Sequence, residues 1–280
     1  MFYSIEEIDR MIKEDVPYID LTSWSLGIGD QLGRISYFTR DDAVACGTEV
    51  VKMIFERLNI KTESYISSGT AVKPGTELIS GQGRGCDINM AWKVGQNVLD
   101  HCSGIATKTS RMVKLVKESN PNVAVWTTRK GFPGTKSLAI MSIMAAGASP
   151  HRLGLSETVL IFKQHIDYIG GFESLIAKIP ELKVECAEKK ILVESSSYED
   201  SKALCAAGAD GIQFDKIPAI AMKEVVAKLK KEFPNVLLIA SGGVNESNAA
   251  EYAKTGIDGI VTTNLYSAPP IDVGVKIEPL

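Results

Sequence analysis

Residues 123–152 read VAVWTTRKGFPGTKSLAIMSIMAAGASPHR. The opening VAVWTT (123–128) is apolar and β-branched, as in a strand buried on both faces, and 136–146 carries the apolar run of a helix. A buried strand feeding a helix is the building unit of a parallel sheet. The unit recurs downstream: strands are predicted at 123–127, 158–162, 190–194, 211–214, 236–241 and 259–262, with helices at 136–146, 164–179, 198–207, 217–233 and 246–255. Ser197-x-x-Asp200 caps one of these helices, and Gly208 sits at its C-terminal stop. No G-x-G-x-x-G follows the first strand, and polar residues end many strands rather than one crossover. A closed α/β barrel is therefore expected in place of an open dinucleotide-binding sheet.

Cations bracket the quoted unit: Arg129-Lys130 follows its strand and His151-Arg152 closes it, with no acidic residue between. Cations at a strand mouth without a local counter-ion describe an anion pocket, Arg offering a planar fork and Lys a point charge. Strand ends of a barrel share one mouth. Around it stand Arg129 and Lys130, then Lys163, Glu194, Asp215, Ser241-Gly242-Gly243 and Thr262-Thr263. The two carboxylates could hold Mg²⁺ with substrate oxygens and water, bind ribose hydroxyls, or pair with the site's own cations. The glycine turn, placed before a helix, is expected to seat a phosphate. His151 reads as ligand-facing, whereas His165 reads as a cap of the helix after the second strand.

The first hundred residues follow another pattern. A capping box, Ser4-x-x-Glu7, opens a helix to about residue 13. Short strands at 33–39, 62–67 and 77–80 surround one helix at 48–58, and a polar loop is expected at Gly81–Gly85 (GQGRG) before a helix at 87–101. This predicts a small α/β sandwich over 1–102, a barrel over 103–269, and a tail strand (270–280) that either closes the barrel or rejoins the first domain.

Composition sets outer limits. The chain has 280 residues, 45% hydrophobic and 23% charged, with a net charge of −3, which gives no basic field for nucleic acid or a membrane surface. The N-terminus lacks a secretory pattern and no apolar run reaches spanning length, so a cytoplasmic protein is expected. Five scattered cysteines without C-x-x-C spacing argue against a disulfide framework or a zinc site.

The strings SGIAT (103–107), TTRKGFPGTK (127–136), HRLGLSE (151–157), Val193-Glu194, the Asp215 strand end, SGG and SAPPIDVGVKI (267–277) together resemble the quinolinate phosphoribosyltransferase family, also called nicotinate-nucleotide pyrophosphorylases. DVPYIDLT (15–22) resembles its N-terminal segment, and the wording is nearest the ModD type, a subgroup named for molybdenum-transport operons. The resemblance implies an N-terminal α/β sandwich domain and an incomplete α/β barrel of the type II phosphoribosyltransferase kind. It also implies a homodimer, or a higher homo-oligomer, with shared active sites. The implied reaction joins the ring nitrogen of an aromatic acid to C1 of 5-phosphoribosyl 1-diphosphate (PRPP), with Mg²⁺ and release of pyrophosphate. Arg129, His151 and Arg152 would grip the acid, Lys130 the PRPP phosphates, and Glu194 and Asp215 the ribose and Mg²⁺. Ser241, Gly242, Gly243, Thr262 and Thr263 would seat the 5′-phosphate, and Lys93 would reach across the dimer.

Two departures stand out. Phe162 occupies the family's lysine position, with Lys163 one residue on, and Lys93 stands where the family has arginine. A one-residue shift along a strand turns a side chain to the other face, and lysine lacks arginine's bidentate grip. The expected acceptor is therefore an aromatic acid other than quinolinate, less charged or larger. Two other readings are a non-catalytic molybdate or phosphate binder, and an aldolase-type barrel using Lys130 or Lys163 as a Schiff-base amine.

Overall fold

The Ser4 hydroxyl accepts from the Glu7 N–H and the Glu7 carboxylate accepts from the Ser4 N–H, so the predicted capping box starts α1 (Ile5–Asp15). This helix opens a computed structural model that describes residues 3–280. There follow α2 (Leu21–Leu26), β1 (Leu32–Thr39), β2 (Ala43–Val44), α3 (Thr48–Arg57), β3 (Lys61–Tyr65), β4 (Ala71–Val72), β5 (Glu77–Arg84) and α4 (Gly85–Ser119). Two compact units result: the first holds the chain to Ser110, Gly131–Gly147 and Tyr266–Leu280, the second Arg111–Lys130 and Ala148–Leu265. The 102/103 boundary expected from sequence falls inside α4, and residues 131–147 lie in the first unit.

The first unit is built on an antiparallel sheet ordered β13-β1-β5-β3, where β13 is Val273–Pro279. The tail thus rejoins the first domain: Ile35 pairs with Ile277 and Thr39 with Val273. Tyr37, Phe55, Leu78 and Ile79 are fully buried in its core, and the Tyr37 hydroxyl donates to the Ala91 carbonyl of α4 at 3.0 Å. The expected GQGRG loop is instead strand and helix start. A Cβ at Gly81 would lie 2.9 Å from Ile60 Cγ2, so the glycine marks close packing inside a strand, not a turn. Likewise Gly104 lets Pro269 approach α4, where its Cβ would sit 2.2 Å from the Pro269 carbonyl oxygen. The helix predicted to stop near residue 101 runs on through it to Ser119.

After α4 come β6 (Ala124–Thr127), α5 (Lys136–Ala145), β7 (Ser149–Pro150), β8 (Val159–Ile161), α6 (Lys163–Tyr168), α7 (Phe172–Glu185), β9 (Ile191–Ser195) and α8 (Tyr198–Ala207). The alternation continues with β10 (Gly211–Asp215), α9 (Ala219–Glu232), β11 (Leu237–Ser241), α10 (Ala249–Ala253) and β12 (Gly259–Thr262). All but α5 lie in the second unit. The helix expected over 164–179 is two, broken where Gly170 and Gly171 take φ of 94° and 104°.

The second unit's seven strands are parallel, in the order β7-β6-β12-β11-β10-β9-β8. The sheet is not closed, contrary to the closed barrel read from the strand pattern, and matches the incomplete barrel that the resemblance implied. Its edges β7 and β8 are two and three residues long and do not pair with each other. Leu160, Leu192, Ile239 and Val261 form the inner cluster, with Trp126, Phe162 and Leu237 packed against it. By strand alternation, Glu194, Gln213 and Asp215 share that inner face toward the C-terminal strand ends.

Candidate functional site

Fourteen residues were singled out from sequence, and thirteen of them stand at or near the C-terminal strand ends of the second unit. The exception is Lys93, on α4 in the first unit, exposed, bonded to Gln96 at 3.0 Å and lying over the Trp92 ring.

The cationic side comes from β6, β7 and the approach to β8. The Lys130 N–H donates to Thr128 Oγ1 at 3.1 Å just after β6. The His151 N–H donates to the Thr127 carbonyl at 2.9 Å, and its ring lies 5.9 Å from the Trp126 indole. Burial, and then the Arg152 charge, hold the His151 pKa below the usual histidine value. Burial and the Arg129 charge likewise work against the Arg152 cation, with Glu157 the favourable charge. Two guanidiniums that repel each other at a partly buried site are arranged to receive an anion. Arg129, Arg152, Phe162 and His165 line a cavity of about 510 Å³ that reaches Cys186 and Lys189.

Phe162 and Lys163 resolve the departure at β8. The Phe162 ring packs against the inner apolar cluster with the Arg152 guanidinium 6.0 Å from its centroid. Lys163 instead opens α6, exposed and paired with Asp167 at 2.7 Å. It does not replace the missing inner cation, and an exposed, paired ammonium is not the desolvated amine that Schiff-base chemistry uses. His165 Nδ1 accepts from the Phe162 N–H at 3.0 Å, the capping role expected of it.

The acidic side is formed by β9 and β10. Glu194 is opposite Gln213 in the ladder, while Asp215 is opposite Ser241 of β11. Burial, and behind it the Asp215 charge, push the Glu194 carboxyl up; a hydrogen bond from Gln213 and the charges of Lys216 and Lys130 pull it down. Lys216 Nζ lies 3.7 Å from Asp215 Oδ2. Among the described residues no group of three or more His, Cys, Asp or Glu is placed to hold a metal. Two neighbouring carboxylates fit Mg²⁺ only in partnership with substrate oxygens, the usual habit of that ion.

The glycine turn differs from expectation in one respect. Gly242 and Gly243 have φ of 80° and 78°, but α10 begins only at Ala249 and has five residues, so the turn is not a helix N-terminus. Asn245 and Asn248 amides brace it by donating to the Gly243 carbonyl, each at 3.2 Å. The Ser241 and Thr262 hydroxyls are spent on the carbonyls of Phe214 and Val244, and Thr263 Oγ1 pairs with Thr128 Oγ1 at 2.8 Å. What the turn offers a ligand is backbone.

Sequence reasoning missed Gln213 and Lys216. A glutamine inside the apolar strand 211–214 was the available signal for the first. The second was hidden by its ordinary look as a surface lysine.

The chain matches the family models "Quinolinate phosphoribosyl transferase, N-terminal domain" over residues 20–103 and "Quinolinate phosphoribosyl transferase, C-terminal domain" over 105–276. It is 34% identical over 278 residues to a pyrophosphorylase called ModD from Pasteurella multocida, covering 99% of each chain. It is 27% identical over 279 residues to a carboxylating nicotinate-nucleotide pyrophosphorylase of Methanothermobacter thermautotrophicus, covering 98% of each. The crystal structure of nicotinate-nucleotide pyrophosphorylase from Ehrlichia chaffeensis superposes with a TM-score of 0.89 at 26% identity, over 99% of this chain and 100% of that one.

Proposed function

The chain belongs to the quinolinate phosphoribosyltransferase family, and from that premise we propose that it transfers phosphoribosyl from PRPP to the ring nitrogen of an aromatic monocarboxylic acid other than quinolinate. The ring nitrogen's lone pair forms the bond to ribose C1, and the C1–oxygen bond breaks with its electron pair leaving on pyrophosphate. One observation carries the reading: two mutually repelling cations, Arg129 and Arg152, belong to the same strand-end rim as the carboxylates Glu194 and Asp215.

Arg129, His151 and Arg152 grip the acceptor's carboxylate, with Phe162 as an apolar wall for its ring. Lys130 meets the leaving diphosphate. Glu194 and Asp215 hold ribose hydroxyls and face the positive charge that develops at C1. The same carboxylates would help hold Mg²⁺, which when bound neutralises charge on the departing pyrophosphate. The amides of Gly242 and Gly243, with the Thr262-Thr263 turn, seat the 5′-phosphate. A homodimer in which Lys93 serves the partner's site completes the proposal.

The second carboxylate of quinolinate asks for a cation where this chain presents Phe162. The test is pyrophosphate release from PRPP and Mg²⁺ across a panel of aromatic monocarboxylates, with quinolinate and no acceptor alongside. Release dependent on a monocarboxylate supports the proposal; release with none of the panel, or with quinolinate alone, refutes it.

A further inference from the structure

Lys216 follows the last residue of β10 and takes a left-handed backbone, φ 57°. A lysine holds that conformation only where its surroundings impose it. Here β11 imposes it. The Lys216 N–H donates to the Ser241 carbonyl at 2.8 Å, and the bare backbone of Gly242 leaves room for the stem: a Cβ there would stand 2.6 Å from Lys216 Cγ. Pro218 keeps Ile217 out of helical geometry, so Lys216 is not drawn into α9.

The backbone bond accounts for the conformation, but the ammonium adds little to the fold. The ammonium's ion pair with Asp215, 3.7 Å long on a side chain 79% exposed, is weak because solvent screens it. With its stem against the Ser241-Gly242-Gly243 turn and its charge felt by Asp215 and Glu194, Lys216 stands between the carboxylates and the phosphate seat. Phe162 deprives the rim of a cation at β8, since Ile161 pairs with Val193 and Phe162 therefore comes level with Glu194. Lys216 brings one to the same carboxylates from β10.

We propose that Lys216 is a ligand-binding residue of this site, its ammonium moving from Asp215 onto a phosphate oxygen of the phosphoribosyl donor. The inference rests on the phosphoribosyltransferase reading and goes beyond it. The exposed pair it leaves is cheap to break, and a charge-assisted bond to phosphate is stronger.

The test is calorimetric titration of the full chain with PRPP and Mg²⁺, and separately with ribose 5-phosphate and inorganic pyrophosphate. Lys216→Asn and Lys216→Gly tolerate the left-handed backbone but remove the charge, whereas Lys216→Arg keeps it. The expected result is PRPP binding weakened about tenfold or more in the first two, with melting temperature held or raised, and within about threefold of wild type in the third. Parallel loss of pyrophosphate or of ribose 5-phosphate binding identifies which phosphate is met. Unchanged PRPP affinity in Lys216→Asn and Lys216→Gly overturns the inference while leaving the transferase reading intact. Failure of the wild-type chain to bind PRPP removes both.

Discussion

Gly242 is bare where Asp215 needs the space: a Cβ built on it would stand 2.4 Å from Asp215 Oδ1, while one on the adjacent Gly243 would meet nothing within 4 Å. Both glycines have positive φ, so alanine at either costs about 1 kcal/mol in backbone strain. Only Gly242→Ala also displaces the Asp215 carboxylate, which the proposed reaction uses. Gly242→Ala is expected to lower the rate of pyrophosphate release about a hundredfold, because a displacement of about 1 Å is that costly to aligned groups. Gly243→Ala is expected to lose stability in a urea melt while keeping most of its turnover.

Gly259 plays a related part deeper in the barrel. A Cβ there would fall 2.0 Å from Trp126 Cζ3, inside the indole. Gly259→Ala should therefore destabilise the chain by about 3 kcal/mol through overpacking. Trp126→Leu, made in the same chain, should recover more than half of that loss. A double-mutant cycle in urea measures the coupling.

Phe162→Lys restores a cation to the inner face at the level of Glu194. It is expected to raise kcat/KM for quinolinate about tenfold or more relative to the unmodified chain, the worth of one charge-assisted contact. The same change should cost stability, since it places an ammonium against Leu160 and Leu192. Steady-state kinetics with quinolinate, beside a thermal melt, check both halves. Equal quinolinate kinetics in the two proteins would show that residue 162 does not set the acceptor.

His151 gives a pH signature of defined sign. Its pKa is below the unfolded value of about 6.5 because burial, and then Arg152, disfavour the imidazolium. Between the two values the unfolded chain binds more protons than the folded one, so stability rises with pH there. The contribution is present above about pH 6.5 and is lost as pH falls through the lower, folded value. Melting temperatures from pH 7.5 to 5 should show a smaller acid loss in His151→Gln than in wild type. An identical decline in both proteins would contradict this.

The alternation of buried strands and helices was legible from β6 onward because each strand is continuously apolar and its caps are local signals, as Ser197 and Gly208 show at α8. Glycine misled where it marks close packing instead of a turn. Gly81 lies within β5, and its crowding by Ile60, Lys61 and Phe55 explains it. The open sheet was invisible because strand patterning does not report whether edge strands meet. At the rim, Arg129, Arg152, Glu194 and Asp215 announced themselves by charge at strand ends. Gln213 and Lys216 did not, since their meaning lies in cross-strand register and in one left-handed φ.

Every role proposed for the strand-end rim depends on a bound phosphoribosyl donor. The most direct measurement is calorimetric titration of PRPP with Mg²⁺ into the wild-type chain and into Glu194→Gln and Asp215→Asn. Saturable one-site binding to the wild type, weakened about tenfold or more in either variant while the melting temperature holds, is the predicted result. A wild-type chain that takes up no PRPP, or variants that bind it as well as wild type, would contradict the account.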